Sequence, residues 1–184
     1  MQAARGASLN PSDPEAHPAA PAGSRARLQA VFLLVALAAY ALDLGTKVLA
    51  VERLSGRGTV EVLGGWFTLH LTRNPGAAFS TGTSFTLLLS LVAILAAGVV
   101  IYLSRRLGST LWAVGLGFLL AGVLGNLTDR VFREPGPLRG HVVDFFRLPN
   151  WPVFNVADIC INVAAAVIVL QAIRGMRVDG TRHE

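Results

Sequence analysis

The chain has 184 residues, 53% of them hydrophobic and only 15% charged, where a soluble domain of this length carries about a quarter charged residues. The length allows one domain, and a mean hydropathy of +0.54 puts that domain in a bilayer. The formal net charge of +5 does not signal nucleic acid, because the arginines stand singly or in pairs beside apolar runs, without a basic stripe or interleaved aromatics; anionic membrane lipids are the better counter-charge.

Residues 1–24 carry Pro11, Pro14, Pro18 and Pro21 among Ala, Gly and Ser, too little apolar area to offset the entropy of ordering, so a disordered tail is expected there. A transmembrane domain over 25–173 and a short C-terminal tail over 174–184 complete the expected organisation. Leu28–Leu49 is the first membrane candidate. Its cleanest part, Ala30–Leu42, follows Arg25 and Arg27 and ends near Ala39-Tyr40-Ala41, which has the form of a cleavable signal peptide. Three later apolar segments favour an uncleaved anchor instead. Asp43 and Lys47 share one face at i, i+4 spacing, either as a solvated helix end or as a brace for a polar cluster.

The next segment, about 51–83, is expected outside the membrane as a β-rich insert. Val60 and Val62, then Phe67, Leu69 and Leu71, alternate with polar residues across Gly64-Gly65, predicting two short strands and a glycine turn. Trp66 and Phe67 beside the turn suit a sheet resting on headgroups. Asn74-Pro75-Gly76 ends the second strand, and by itself Asn74 reads as a turn residue. Phe85–Leu103, Leu111–Leu127 and Val153–Ile173 are the remaining spans, long enough at about 1.5 Å per residue to cross hydrocarbon. Gly117, Ala121 and Gly125 form a small-residue stripe that admits another helix closely.

Four spans put both termini on one side. Arg5, Arg25, Arg27, Arg105, Arg106, Arg174, Arg177 and Arg182 fall on that side, and Arg53, Arg57, Arg73, Arg130, Arg133, Arg139 and Arg147 on the other. That is no excess, so the positive-inside rule leaves the orientation undecided.

The polar residues concentrate between Gly125 and Asp158. On a helix, Asn126, Asp129 and Arg130 share one face, as do Asn155, Asp158 and Asn162. A fourth span starting at Val153 puts Asp158 about 7 Å inside it, with Asp144 in the connecting loop, folded back by its apolar neighbours. Two carboxylates under a low-dielectric roof cannot both ionise cheaply, so the pair would hold one shared proton, which suits peptide hydrolysis. Spacing alone also fits an ion-pair network of Asp129, Arg130 and Asp144, or proton-coupled transport. His17, His70, His141 and His183 have no ligand spacing, and a single Cys160 excludes a disulfide or a Cys-based metal site, so no metal or other cofactor is expected. Cys160, inside an apolar helix with no nearby histidine, reads as a packed thiol.

DLGTK (43–47), TRNPGAAFS (72–80), GNLTDR (125–130), GHVVDFF (140–146) and FNVAD (154–158) together resemble the bacterial lipoprotein signal peptidases (signal peptidase II), over about Asp43 to Ala166. The resemblance implies an all-α membrane bundle of four transmembrane helices with a small extracytoplasmic β-sheet, both termini cytoplasmic. It implies an aspartic endopeptidase of the cell membrane that removes signal peptides from diacylglyceryl-modified prolipoproteins. By motif position the catalytic pair maps onto Asp144 and Asp158, with Asn74, Asn126, Arg130 and Asn155 binding substrate or supporting the pair, and Asp43, Lys47 and Asp129 as structural support. The tail before Leu28 and an inserted-looking REPGPLR after Phe132 depart from the usual pattern.

Overall fold

The computed structural model describes residues 22–76 and 85–182; the expected tail, up to residue 21, and residues 77–83 of the expected insert, including part of TRNPGAAFS, lie outside the described residues. Helices α1 (Ala22–Leu54), α2 (Thr86–Ser104), α3 (Thr110–Phe132) and α4 (Val156–Ile173) are each long and apolar enough to cross a membrane. This is a multi-pass membrane protein. Half of the most apolar window of α3 is buried inside the protein, against 22–28% for the other three helices, which makes α3 the hub. It packs on α1, α2 and α4, while Leu33, Leu34, Leu37, Leu91, Leu95 and Val169 point outward, as side chains facing lipid do.

Two small-residue faces on α3 allow this packing. A Cβ at Gly117 would sit 2.9 Å from the Phe32 carbonyl of α1, and one at Gly125 would run into the Asp43 carboxylate. The stripe read from the sequence therefore faces α1. A second face, Gly115 and Gly122, meets α4: a Cβ at Gly122 would lie 2.5 Å from the Ala157 carbonyl and 2.6 Å from Ile161 Cγ1. Gly122→Val is expected to cost about 1–3 kcal/mol by overpacking, read as a lower Tm in detergent micelles. Gly45→Ala, with nothing within 4 Å of the new methyl, is expected to hold or raise Tm.

Beside the bundle lies an antiparallel sheet of β1 (Val60–Leu63), β2 (Phe67–Asn74) and β3 (Val142–Arg147), in that order. The first two strands and their turn, with Gly64 and Gly65 both at positive φ, are as read from the sequence. The third corrects it. Asp144 is not in a loop but on β3, opposite Thr72 of β2. The run Val142–Phe145 is buried throughout, so the period-two alternation that marks a half-exposed strand is missing.

The fourth span also starts later than Val153. Pro152 disfavours helix in the residue before it. Phe154 then exchanges backbone hydrogen bonds of 2.8 and 2.9 Å with Phe146, holding the chain extended up to Asn155. Asp158 thus sits in the first turn of α4, about 3 Å along it rather than 7 Å deep.

REPGPLR is pinned rather than loose. Ser90 Oγ donates to the Leu138 carbonyl at 2.7 Å, and Gly140 N donates to the Arg130 carbonyl at 2.9 Å. At the other end of the bundle, residues 174–182 turn back over the α2–α3 loop. Gly108 N donates to Val178 O at 2.9 Å and Trp112 Nε1 to Met176 O at 3.1 Å.

Candidate active site

Four buried or half-buried acids converge where α1, α3, α4 and β3 meet, and their partners divide them into two pairs. The lower pair is Asp43 and Asp129. Between them lies Lys47, fully buried, its Nζ 2.9 Å from Asp43 Oδ2 and 2.9 Å from Asp129 Oδ2. The same ammonium donates to the Gly125 carbonyl at 3.2 Å and Asn126 Oδ1 at 3.1 Å, so its three protons have four acceptors and none is wasted. Leaving water is expensive for such an ion, and two carboxylates at contact distance offset much of that cost.

Each lower acid also organises backbone. Asp43 Oδ1 accepts from Ala157 N at 2.8 Å, one of the four N–H groups that the start of α4 cannot satisfy itself. Asp129 Oδ2 accepts from Val143 N at 3.2 Å, and its other oxygen accepts from Arg133 Nε. Lys47 therefore joins α1 to α3, while Asp43 and Asp129 position α4 and β3.

The upper pair is Asp144 and Asp158, and amides hold both. Asn74 Nδ2 at the end of β2 donates to Asp144 Oδ2 at 2.9 Å, and Asn155 Nδ2 donates to Asp144 Oδ1 at 2.6 Å. Asn155 is the N-cap of α4 and Asp158 its third residue. Asn155 Oδ1 accepts from Asp158 N at 3.0 Å while Asp158 Oδ2 accepts from Asn155 N at 3.1 Å, a reciprocal capping box. Asn126 Nδ2 donates to Asp158 Oδ1 at 2.9 Å, and Asn126 Oδ1 accepts from Asn155 Nδ2 at 3.1 Å and from Lys47. Asn126 is thus the joint between the two layers. Among the described residues neither Asp144 nor Asp158 has an ion-pair partner. Burial, reinforced by the Asp158 charge and opposed by the hydrogen bonds from Asn74 and Asn155, pushes the Asp144 carboxyl up to about 7.

Both upper acids open onto one cleft of about 450 Å³, walled by Trp151, Pro152, Phe154, Ile159 and Val163 and reached also by Asn74 and Asn162. The Arg130 guanidinium lies in the field of Asp158, Asp144 and Asp129; its Nη1 reaches the Asn126 carbonyl at 3.5 Å, and its buried Nε has no partner among the described residues.

All nine residues singled out in the sequence come together here. Asn74 is no mere turn former: beyond its Asx turn to Gly76 N (2.8 Å) it grips Asp144. What the sequence reading missed is the hinge that brings the two acids together, the Phe146–Phe154 pairing, with Phe146 also stacked near Phe67 and Phe145. The cluster of phenylalanines flanking the two motifs was the available signal.

Residues 35–174 match the family described as Signal peptidase (SPase) II. The chain belongs to the signal peptidase II family. It is 45% identical over 158 residues to the lipoprotein signal peptidase of Streptomyces coelicolor, covering 86% of this chain and 78% of the relative. To that of Mycobacterium tuberculosis it is 48% identical over 171 residues, covering 90% and 82%. Two solved bacterial membrane enzyme structures share the fold at TM-scores of 0.67 and 0.68 with 23% and 24% identity, covering 77% and 78% of this chain and 87% and 92% of theirs. Membership of this family makes the protein a protease and excludes the transport reading left open by spacing alone.

Proposed function

We propose that this peptidase is an aspartic endopeptidase, in which Asp144 and Asp158 activate one water to remove signal peptides from diacylglyceryl-modified prolipoproteins. The observation that carries the reading is the division of the acids. Asp43 and Asp129 are neutralised by Lys47 and Arg133, whereas Asp144 and Asp158 are oriented by amides and face an open cleft. Amides aim a carboxylate without neutralising it, so the pair stays able to hold one proton and give it up. Asp158 takes a proton from water as the oxygen attacks the scissile carbonyl. Asp144 gives its proton to the carbonyl oxygen, forming a gem-diol. As the C–N bond breaks, the proton that Asp158 took from water passes to the leaving amine and a diol hydroxyl returns its proton to Asp144. Arg130 steadies the negative charge developing between them, and Asn74, Asn126 and Asn155 hold the two carboxyls in register.

The substrate follows from depth. A diacylglyceryl chain resists leaving the bilayer at about 0.8 kcal/mol per CH₂, which confines a bond beside it to the headgroup level, the level this reading assigns to the first turn of α4. The cytoplasmic membrane, with both termini cytoplasmic and the sheet outside, is the orientation this requires. Incubated with purified protein, a precursor peptide bearing the lipid-modified cysteine is expected to be cut just before that cysteine. Equal cutting of the same peptide with a bare cysteine would overturn the lipid requirement.

A pH dependence follows. Asp144 acts as its protonated form, which is full below pH 7 and lost above it. kcat/KM should therefore fall about tenfold per pH unit on the alkaline side of about 7. A rate flat through pH 9 would contradict Asp144 as the acid.

A further inference from the structure

Of the four asparagines that border the cleft or its carboxylates, three grip an acid. Asn74 and Asn155 hold Asp144, and Asn126 holds Asp158. Asn162 does not. It lies one turn beyond Asp158 on α4, exposed, with its Nδ2 donating to the Asp158 backbone carbonyl at 2.9 Å. That bond uses one N–H and fixes the side chain; Oδ1 and the second N–H remain unused among the described residues. Ile159 and Val163, 42% and 38% exposed, flank it on the same cleft wall. An amide with spare hydrogen-bonding capacity inside a membrane span is costly unless something polar meets it.

We propose that Asn162 is a substrate-positioning residue, whose side-chain amide pairs with a backbone peptide group of the signal peptide about two residues before the scissile bond. This rests on the peptidase reading above. A signal peptide crossing the bilayer is helical, with its backbone groups paired internally. To present a cleavable bond its end must unwind, and each N–H or C=O freed inside hydrocarbon is costly if left unpaired. An asparagine offers a donor and an acceptor together, which matches one peptide group.

The register comes from helix and strand geometry. Four residues along α4 carry Asn162 about 6 Å deeper than Asp158. An extended chain advances about 3.3 Å per residue, so the contact falls near the second residue upstream. Ile159 and Val163 on either side, with Trp151 on the same cleft, surround that position with apolar surface.

The test is a substrate-and-enzyme cycle with purified full-length protein in micelles. Lipidated precursor peptides carry an ester oxygen in place of the amide N–H at each of the three residues before the scissile bond, one at a time. Asn162→Leu, near in size and at home in a membrane helix, should raise KM about ten- to a hundredfold with kcat and Tm little changed, and Asn162→Gln should restore part of the loss. One ester peptide, at the second residue or a direct neighbour of it, should show a similar loss with the parent protein and no further loss with Asn162→Leu. An unchanged KM, or losses that multiply at every position, would overturn the assignment. Failure of the parent protein to cut even the all-amide peptide would remove the peptidase reading, and this inference with it.

Discussion

Replacing either Asp144 or Asp158 by asparagine is expected to slow prolipoprotein cleavage by at least about a thousandfold, with the protein still inserted and folded. Asparagine has nearly the shape of aspartate but cannot take or hold the reacting proton. Shape is not quite the whole of it. Both Asp144 oxygens accept from amide N–H groups, of Asn74 and Asn155, so an asparagine there sets one donor against another. That mismatch costs about 1–3 kcal/mol and lowers Tm modestly. Asp158→Asn meets the same conflict with Asn126 Nδ2 or the Asn155 backbone N–H. Asp129→Asn is the informative control. It weakens the bond network of Lys47 and Val143 but removes no reacting group, so stability should fall while a measurable rate survives. Cleavage assays on membranes normalised for protein level distinguish these outcomes, and near-normal cutting by Asp158→Asn would end the mechanism.

Lys47→Met is expected to be the most damaging single change to stability, at about 3–5 kcal/mol. Methionine fills most of the volume, so the cavity is a minor contribution. The damage is electrostatic: Asp43 and Asp129, both almost fully buried, lose the cation between them, and Asn126 Oδ1 and the Gly125 carbonyl lose a donor. Both acids hold neighbouring elements, so the loss should loosen α4 and β3, the two elements that carry the upper pair. Thermal unfolding in micelles reads the effect. Adding Asp43→Asn and Asp129→Asn to Lys47→Met should recover part of the lost Tm, because the uncompensated charges disappear. A Lys47→Met protein as stable as the parent would show that the lower pair does not brace α4 and β3.

Long apolar runs make the four helices legible in the sequence, and i, i+3, i+4 spacing is enough to put Asn126, Asp129 and Arg130 on one face. Gly64-Gly65 marks its hairpin for an equally local reason, since the turn needs positive φ. Asp144 is harder. Its strand is buried on both sides, its partner strand is some seventy residues away in sequence, and a charged residue within an apolar run gives no periodicity to read. Hydropathy starts α4 three residues early because it does not register the extended pairing of Phe154, whereas Asn155 three residues before Asp158 is a capping signal that does. The division of the acids into a neutralised pair and a free pair is a tertiary fact. Lys47 chooses Asp129 across 82 residues, and spacing carries no trace of that choice.

The most direct measurement is an experimental structure with a lipidated peptide analogue whose scissile amide is replaced by a secondary alcohol, a stable mimic of the tetrahedral intermediate. The alcohol oxygen is expected to lie within hydrogen-bonding distance of a carboxyl oxygen of Asp144 and one of Asp158 at once. An alcohol bound in the cleft but touching only one of them, with the other still turned to its asparagine, would contradict it.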